Sequence, residues 1–238
     1  LIYAELENGY DAWAPDNNTD FKTYSNDKGE DSQRTYGYSF RANFEASENL
    51  NITSITSFTE TDLFHAYDGD WADSTYWHDN HGFDPAVEGW VYEFYDKNER
   101  NRANLTQEIR LSLSSVILGG YYKHLKEQDE ATGYLFGGVA TDANSHFDFI
   151  ATAVYAQFWL NISSRLKLNA NFRFENNTYD YTGTSQGVDD NWGGMVLPPV
   201  WFQTDDSMMG YRTSLQYVMD KSTSFYGSLS QGYKSGGV

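Results

Sequence analysis

Hydrophobic and polar residues alternate with a period of two over several long stretches of the chain. Within residues 36–46 the even-numbered positions are all apolar: Tyr36, Tyr38, Phe40, Ala42, Phe44 and Ala46. The positions between them carry Gly, Ser, Arg, Asn and Glu, and the same alternation occurs in residues 105–113, 150–162, 165–175 and 211–219. A period of two is typical of β-strands that separate an apolar from a polar environment. A helix would scatter these residues around its circumference.

Short and long connections alternate between these strands. The short connections contain small or polar turn-forming residues and lie at 47–49, 114–115, 163–164 and 220–223. The long connections lie at 6–32, 65–103, 127–149 and 182–207, and they contain all four prolines, where no ladder hydrogen bond is lost. This rhythm predicts an all-β, antiparallel up-and-down meander of eight strands and part of a ninth, with its long loops at one end.

Composition removes several classes of protein. The 238 residues include no cysteine, which excludes disulfides and Cys-based zinc or iron–sulfur sites. The 16 basic residues face 34 acidic ones, which argues against a nucleic-acid partner. No apolar stretch approaches the roughly 18 to 20 residues that a membrane-spanning helix needs. The long connections hold 25 of the 34 acidic residues and only 5 of the 16 basic ones, so the charge is concentrated at the end with the long loops.

The polar face of the strands favours a transmembrane β-barrel over a soluble β-sandwich. It mixes Asn, Gln, Ser, Thr, Gly and Arg, as a wet lumen does, and the strands are long enough for a tilted membrane crossing. Aromatic residues near strand ends are expected to form an interfacial girdle: Tyr36, Tyr121, Tyr122, Trp159, Tyr179, Tyr181, Tyr211, Tyr226 and Tyr233. Two alternatives stay open, a secreted or surface β-sandwich that binds carbohydrate and a small outer-membrane barrel that is an adhesin or enzyme.

Four segments resemble the barrel portion of TonB-dependent outer-membrane receptors. They are Thr-Gln-Glu-Ile-Arg-Leu at 106–111, the run from Phe225 through Tyr-Lys-Ser-Gly-Gly at 233–237, Leu50 to Phe58, and Tyr-Asp-Gly-Asp-Trp at 67–71. The resemblance extends from about Asn8 to the last residue. The family's plug domain and its terminal aromatic signal are not visible in the sequence. Residues 1–238 are therefore interpreted as an internal fragment, about eight to nine strands of a probable 22-stranded barrel.

The resemblance implies a function and a set of partners. Such receptors lie in the bacterial outer membrane, contact its lipid and lipopolysaccharide, and import a scarce solute with energy relayed by the TonB complex through the plug. The solute is most often a ferric siderophore, although haem, cobalamin and saccharides are also carried. The resemblance implies no catalysis and no resident cofactor. The long connections are then extracellular, and the short turns face the periplasm.

Two groups of residues are candidates for the site. Aromatic side chains in the long connection 65–103 suit sugars, catecholates or planar macrocycles. Alternatively, they pack the loop into a lid or anchor it at the membrane interface. These side chains are Trp71, Tyr76, Trp77, Trp90 and Tyr92. Alternation predicts that four arginines face the lumen, where they contact a passing ligand or pair with the plug: Arg41, Arg110, Arg173 and Arg212. The acidic loops predict a neutral or cationic ligand, or charge screening by divalent cations shared with lipopolysaccharide.

Other chemical constellations are weak. His78 and His81, with Asp79 and Asp84 nearby, lack a recognised metal-ligand spacing. The adjacent carboxylates Asp189–Asp190 and Asp205–Asp206 are more typical of solvated loop charge than of a glycosidase. We expect neither a metal site nor catalytic residues.

Overall fold

The computed structural model describes residues 1–9, 13–16, 20, 22–135, 139–140, 142–186 and 198–235. Their secondary structure is almost entirely β. The ten strands are β1 (Ile2–Glu7), β2 (Glu30–Ser47), β3 (Leu50–Asp68), β4 (Tyr95–Ser112), β5 (Val116–Leu135), β6 (Val139–Ala140), β7 (Asp142–Asn161), β8 (Leu166–Gln186), β9 (Val200–Val218) and β10 (Ser224–Gln231).

All the strands belong to one antiparallel sheet in the order β1-β2-β3-β4-β5-β7-β8-β9-β10, with the short β6 paired to β5. Each strand therefore pairs with its neighbours along the chain, as the predicted meander requires. Within the described residues the sheet is open, since β1 and β10 each pair on one side only. The two packed layers of the sandwich alternative are not formed, and the prediction of an up-and-down sheet is confirmed.

The tight turns lie where the sequence predicts them, but the long connections are shorter than expected. The predicted connection 127–149 is mostly strand, because β5 continues to Leu135 and β7 begins at Asp142. The predicted connection 182–207 likewise loses residues to β8 and β9. The reason is that apolar residues no longer alternate regularly with polar ones in these outer segments, so the period-two signal disappears while the ladder of backbone hydrogen bonds continues.

The sheet has one apolar and one polar face along the half nearest the short turns. Large hydrophobic side chains on the apolar face are exposed in this chain, Phe40 by 66% and Val154 by 63%, for example. Further along the strands the same face carries carboxylates instead, including Glu60, Asp62 and Asp148. The apolar band is therefore limited to part of each strand, as in a membrane-spanning wall.

The aromatic residues predicted as a girdle divide between the two faces. Register and alternation place Tyr36, Tyr122 and Tyr211 on the apolar face. The remaining six lie on the polar face, so the girdle prediction is wrong for them: Tyr121, Trp159, Tyr179, Tyr181, Tyr226 and Tyr233. Neighbours in a strand point to opposite sides, and Tyr121 and Tyr122 cannot share a surface.

Two short helices lie in the connection between β3 and β4. Helix α1 (Ser74–His81) begins at Asp73, whose carboxylate accepts the Tyr76 N–H at 2.7 Å, and ends at Gly82 with φ 68°. Helix α2 (Pro85–Glu88) is capped by Asp84 and ends at Gly89 with φ 82°. Both helices thus have the capping residues that short helices need. No helix in the described part of the chain has the length and apolarity needed to cross a membrane.

Candidate functional site

A charged cluster lies on the polar face where β4, β5 and β7 meet. The Arg110 guanidinium on β4 donates to both carboxylate oxygens of Glu108, at 2.9 and 2.8 Å. The Tyr155 hydroxyl on β7 donates to Glu108 and accepts from Arg110 Nε at 3.1 Å. Tyr155 reaches across the intervening strand because Gly119 has no side chain there. A Cβ on Gly119 would lie 2.0 Å from the Tyr155 ring.

A second cluster repeats this arrangement on β8, β9 and the segment after β10. Arg173 Nε donates to Glu175 at 2.8 Å and to the Tyr233 hydroxyl at 3.0 Å, and that hydroxyl also donates to Glu175 at 3.0 Å. The Tyr233 ring covers Gly210, where a Cβ would approach it to 2.9 Å. Each cluster therefore combines an Arg–Glu pair on one strand, a glycine on the next, and a tyrosine that covers the glycine.

Strand register explains why the two clusters adjoin. Arg110 pairs with Gly119, Gly119 with Tyr155, Tyr155 with Arg173, and Arg173 with Gly210. The five residues thus form a single row across the sheet at a spacing of about 4.8 Å per strand. In addition, the Arg173 guanidinium lies 5.4 Å from the centre of the Tyr121 ring, a cation–π distance that ties the second cluster to β5.

The two clusters line a depression of about 690 Å³ that also contains Arg212. Three of the four arginines predicted to face the lumen are thereby brought together, Arg110, Arg173 and Arg212. Among the described residues, Arg110 and Arg173 are neutralised by Glu108 and Glu175, whereas Arg212 has no carboxylate within 4.0 Å. Arg41 lies on the same face but on β2, away from the depression, where its Nε donates to Asn43 at 3.3 Å.

The aromatic loop residues lie in a cap built from the β3–β4 connection and the segment before β2. Trp71 contacts Trp13 edge-to-face at 4.8 Å, and Tyr76 packs against Tyr24 at 4.4 Å. A backbone bridge between Tyr24 and Ala72 joins the two segments. The cap is thus a single packed unit and not two independent loops.

Two buried carboxylates hold the cap together. Asp68, which is fully buried, accepts the backbone N–H groups of Asn26 and Asp27 from one segment and of Asp70 and Trp71 from the other, at 2.9 to 3.4 Å. Four charge-assisted hydrogen bonds compensate for its desolvation. Trp71 has φ 60°, a left-handed conformation that is uncommon for a non-glycine residue, and its N–H bond to Asp68 stabilises it.

Asp70 links the beginning, middle and end of the connection. It accepts the Ala72 N–H at 3.0 Å, the Trp77 indole N–H at 3.2 Å and the Phe94 N–H at 2.7 Å. Burial raises the pKa of Asp70 to about 6, against the lowering effect of these hydrogen bonds. The charge of Asp70 therefore changes near pH 6.

The candidate ligand aromatics pack mostly against one another. Trp77 and Tyr92 have ring centroids 4.4 Å apart, and Trp90 lies 5.5 Å from Tyr92. Tyr76 is buried at 8% exposure, whereas Trp71, Trp77, Trp90 and Tyr92 are half-buried. All five residues therefore belong to the cap, and four of them offer part of a ring to the surroundings.

The His and Asp residues considered as metal-binding or catalytic candidates do not come together in the structure. His78 Nδ1 lies 2.9 Å from Asp79, which raises the pKa of His78, and His81 instead packs on the Trp77 ring at 5.0 Å. No group of three or more His, Asp or Glu side chains in the described ranges is placed to hold a metal ion. Neighbours in β9, Asp205 and Asp206 point to opposite faces of the sheet, and Asp205 accepts the Thr178 hydroxyl at 2.7 Å. Asp189, Asp190, Gly236 and Gly237 lie outside the described residues.

The sequence could have revealed part of this site but not all of it. Alternation identifies the arginines, and the Glu-x-Arg and Arg-x-Glu spacings place each pair on one face. Tyr155 and Tyr233 were missed because their partners lie on other strands. Nothing in a single sequence gives the register that brings them together.

Comparison with known proteins gives a consistent family and fold. A sequence model of the TonB-dependent receptor-like β-barrel matches residues 3–238. The ferric yersiniabactin uptake receptor FyuA of Yersinia pestis has a TM-score of 0.56 at 8% identity, over 85% of this chain and 28% of its own. The siderophore receptor PiuA of Acinetobacter baumannii has a TM-score of 0.55 at 10% identity, over 95% and 38%. The copper transporter OprC has 0.54 at 12%, over 96% and 36%.

At these identities the likeness to solved structures shows the fold alone. The chain spans between 28% and 38% of the length of these three proteins. A search of curated proteins found no sequence match.

Proposed function

Since the chain belongs to the TonB-dependent receptor β-barrel family, we propose that it is part of the wall of a bacterial outer-membrane receptor that imports a ferric siderophore. In this proposal the polar face lines the lumen and the apolar face contacts outer-membrane lipid and lipopolysaccharide. A plug segment outside residues 1–238 fills the lumen and contacts TonB, as in the family. Residues 1–238 are then one part of the barrel domain.

The observation that carries the proposal is the depression lined by Arg110, Arg173 and Arg212. Exposed ion pairs contribute little stability to a wall in contact with water alone, so two Arg–Glu pairs that are each bound by a tyrosine hydroxyl indicate a further contact. An Arg–Glu pair is suited to contact another packed segment when a tyrosine, packed over a glycine, fixes its position. Arg212, which has no carboxylate within 4.0 Å among the residues that the structure describes, adds a cation that a carboxylate on the plug or the solute would neutralise.

The cap is the proposed extracellular contact for the solute. Trp71, Tyr76, Trp77, Trp90 and Tyr92 supply ring faces that suit aromatic or saccharide groups. Tyr76 is buried, so it would act by supporting Trp77, whose ring lies 5.4 Å away. The same cap is at the end of the sheet where the acidic residues are concentrated, which favours attraction of cations to the rim.

Uptake of ⁵⁵Fe in iron-limited cells tests the function. Deletion of the gene for the full-length receptor should abolish uptake of one class of ferric complex, and re-expression should restore it only in cells with functional TonB. Equal uptake with and without TonB would contradict the proposal. Uptake of copper or a saccharide in place of iron would support the receptor function but contradict the ferric siderophore as its solute.

A further inference from the structure

Three aromatic side chains lie on the polar face of the sheet, outside both the cap and the charged clusters. Phe147 and Phe149 of β7 have nearly parallel rings, with an interplanar angle of 5° and centroids 6.4 Å apart. Tyr179 of β8, the register partner of Phe149, packs against it at 4.8 Å. Tyr179 is buried, and the two phenylalanine rings are half-buried. Apolar rings on a face otherwise rich in Asn, Thr and Arg form a distinct surface.

Tyr179, which packs against Phe149, is held in place by its neighbours. The Asn177 side-chain amide donates to the Tyr179 hydroxyl at 3.4 Å, and Asn177 itself is only 2% exposed. The small residue Ala151 on β7 is buried beside them at 3% exposure. The two phenylalanines thus rest on a packed base, which limits the loss of side-chain entropy on binding.

Lys123 of β5 supplies a cation beside these rings. Its Nζ lies 5.5 Å from the centre of the Phe149 ring. Within the described ranges no carboxylate lies within 4.0 Å of Lys123, although the arginines above and below it on the neighbouring strand are all paired. Lysine carries three donors, and the cation–π contact with Phe149 leaves its N–H groups available.

The carboxylates nearest to Lys123 on the polar face are bound to arginines, and Asp206, which shares its row across the sheet, lies three strands away. On the polar face Glu127 and Asp129 are bound to Arg102 and Arg100, and Glu108 is bound to Arg110. The carboxylates of Asp148 and Asp180, which neighbour the aromatic residues in sequence, point to the opposite face. The acidic loops predict a neutral or cationic ligand, whereas Lys123 places a positive charge on this part of the polar face.

We propose that Phe147, Phe149 and Lys123 form a binding surface for a planar aromatic group that carries an anionic oxygen, as phenolate and catecholate ligands of iron do. The ring stacks on the phenylalanine faces, and the oxygen accepts from the Lys123 ammonium. This inference rests on the proposed function, since it assumes that the polar face is the path of the solute. It names the class of solute that the wall recognises.

Three iron(III) complexes separate the contribution of the ring from that of the charge. The tris(catecholate) is aromatic and anionic, the tris(oxalate) is anionic without a ring, and the tris(acetohydroxamate) is neutral without a ring. Their affinities for the purified full-length receptor are measured by tryptophan fluorescence quenching. Phe172→Leu, a matched change on the apolar face, is the control variant, and heat-modifiable migration verifies that each variant is folded.

The variants give a distinct pattern if the inference is correct. Phe149→Leu should weaken binding of the catecholate complex by about tenfold and leave the other two unchanged. Lys123→Gln should weaken both anionic complexes by roughly three- to tenfold and spare the neutral one. Equal losses for all three complexes, or wild-type affinity for the catecholate in both variants, would overturn the proposed surface. Normal ⁵⁵Fe uptake alongside that result would leave the receptor function intact, whereas absent uptake with catechol binding retained would refute only the transport proposal.

Discussion

The ring of Tyr155 lies directly over Gly119, so closely that any side chain at position 119 would collide with it. This contact lets a tyrosine on β7 reach an Arg–Glu pair on β4. The same relationship between Tyr233 and Gly210 recurs at the second pair. Both clusters therefore require a glycine on the middle strand.

Gly119→Ala should destabilise the barrel by about 1–3 kcal/mol, because the new methyl group overlaps the Tyr155 ring and forces it from its site. The measurement is the urea midpoint of the full-length receptor in detergent, followed by heat-modifiable migration. Gly120→Ala is the matched control, since a Cβ there meets nothing within 4 Å. Equal midpoints for the two variants would contradict the packing described for Gly119.

Tyr155→Phe should cost about 1–3 kcal/mol, because the hydroxyl bonds two charged groups, Glu108 and Arg110. Tyr233→Phe removes the corresponding hydroxyl from Arg173 and Glu175. The two clusters adjoin, because Tyr155 pairs with Arg173 across β7 and β8, so the double variant should depart from the sum of the single effects by about 0.5 kcal/mol or more. Urea unfolding of all three variants tests this, and strict additivity would mean that the clusters act independently.

Asp68→Ala should release the cap without unfolding the sheet. The change leaves four backbone N–H groups, two in each segment of the cap, without their acceptor. Each unsatisfied group costs about 1–3 kcal/mol. Limited proteolysis of the full-length receptor should therefore cleave residues 69–94 at least about tenfold faster. Cleavage at the wild-type rate would show that aromatic packing alone holds the cap, and Asp79→Ala, on the exposed surface, is the control.

Asp70 should make the stability of the cap dependent on pH. Its pKa is raised to about 6 in the folded protein, so its contribution is fully present below the unfolded pKa, near 4, and is lost as the pH rises through 6. Hydrogen exchange of residues 69–94, corrected for the intrinsic rate, should show protection that falls between about pH 4 and 6 and then levels off. Asp70→Asn should remove that slope. An unchanged slope in the variant would assign the titration to another group.

Sequence alone predicted the architecture and the direction of the arginines for one physical reason. Where a strand separates lipid from a wet interior, its side chains must alternate, and Arg110 and Arg173 lie between apolar residues on both sides. That signal disappears along residues 127–130, where Glu, Gln, Asp and Glu follow one another although β5 continues to Leu135. Both faces of the sheet are in contact with water there, so the residues do not alternate. The sequence therefore predicts a connection where the strand in fact continues.

The side-chain contacts between strands could not be predicted from the sequence. The position of Tyr233 near a strand end predicts a place in an interfacial girdle, but its hydroxyl is bound to Arg173 and Glu175, about sixty residues earlier. A shift of one residue in register would move every such side chain to the other face. The packing of Trp77 on Tyr92 likewise depends on how the connection folds back on itself, which composition does not specify.

The length of the strands has a consequence for where a solute first meets the protein. Strands of about 20 residues at roughly 3.3 Å per residue, tilted by about 40°, rise some 50 Å, whereas an apolar band of this kind is about 25 Å tall. Roughly half of that height stands above the bilayer as hydrogen-bonded sheet. If the chain is part of a receptor wall, as proposed, a solute that passes the cap meets a tall rim of hydrogen-bonded sheet before it reaches the depth of the membrane. The proposal therefore implies that the solute is first selected by strand side chains held in fixed register.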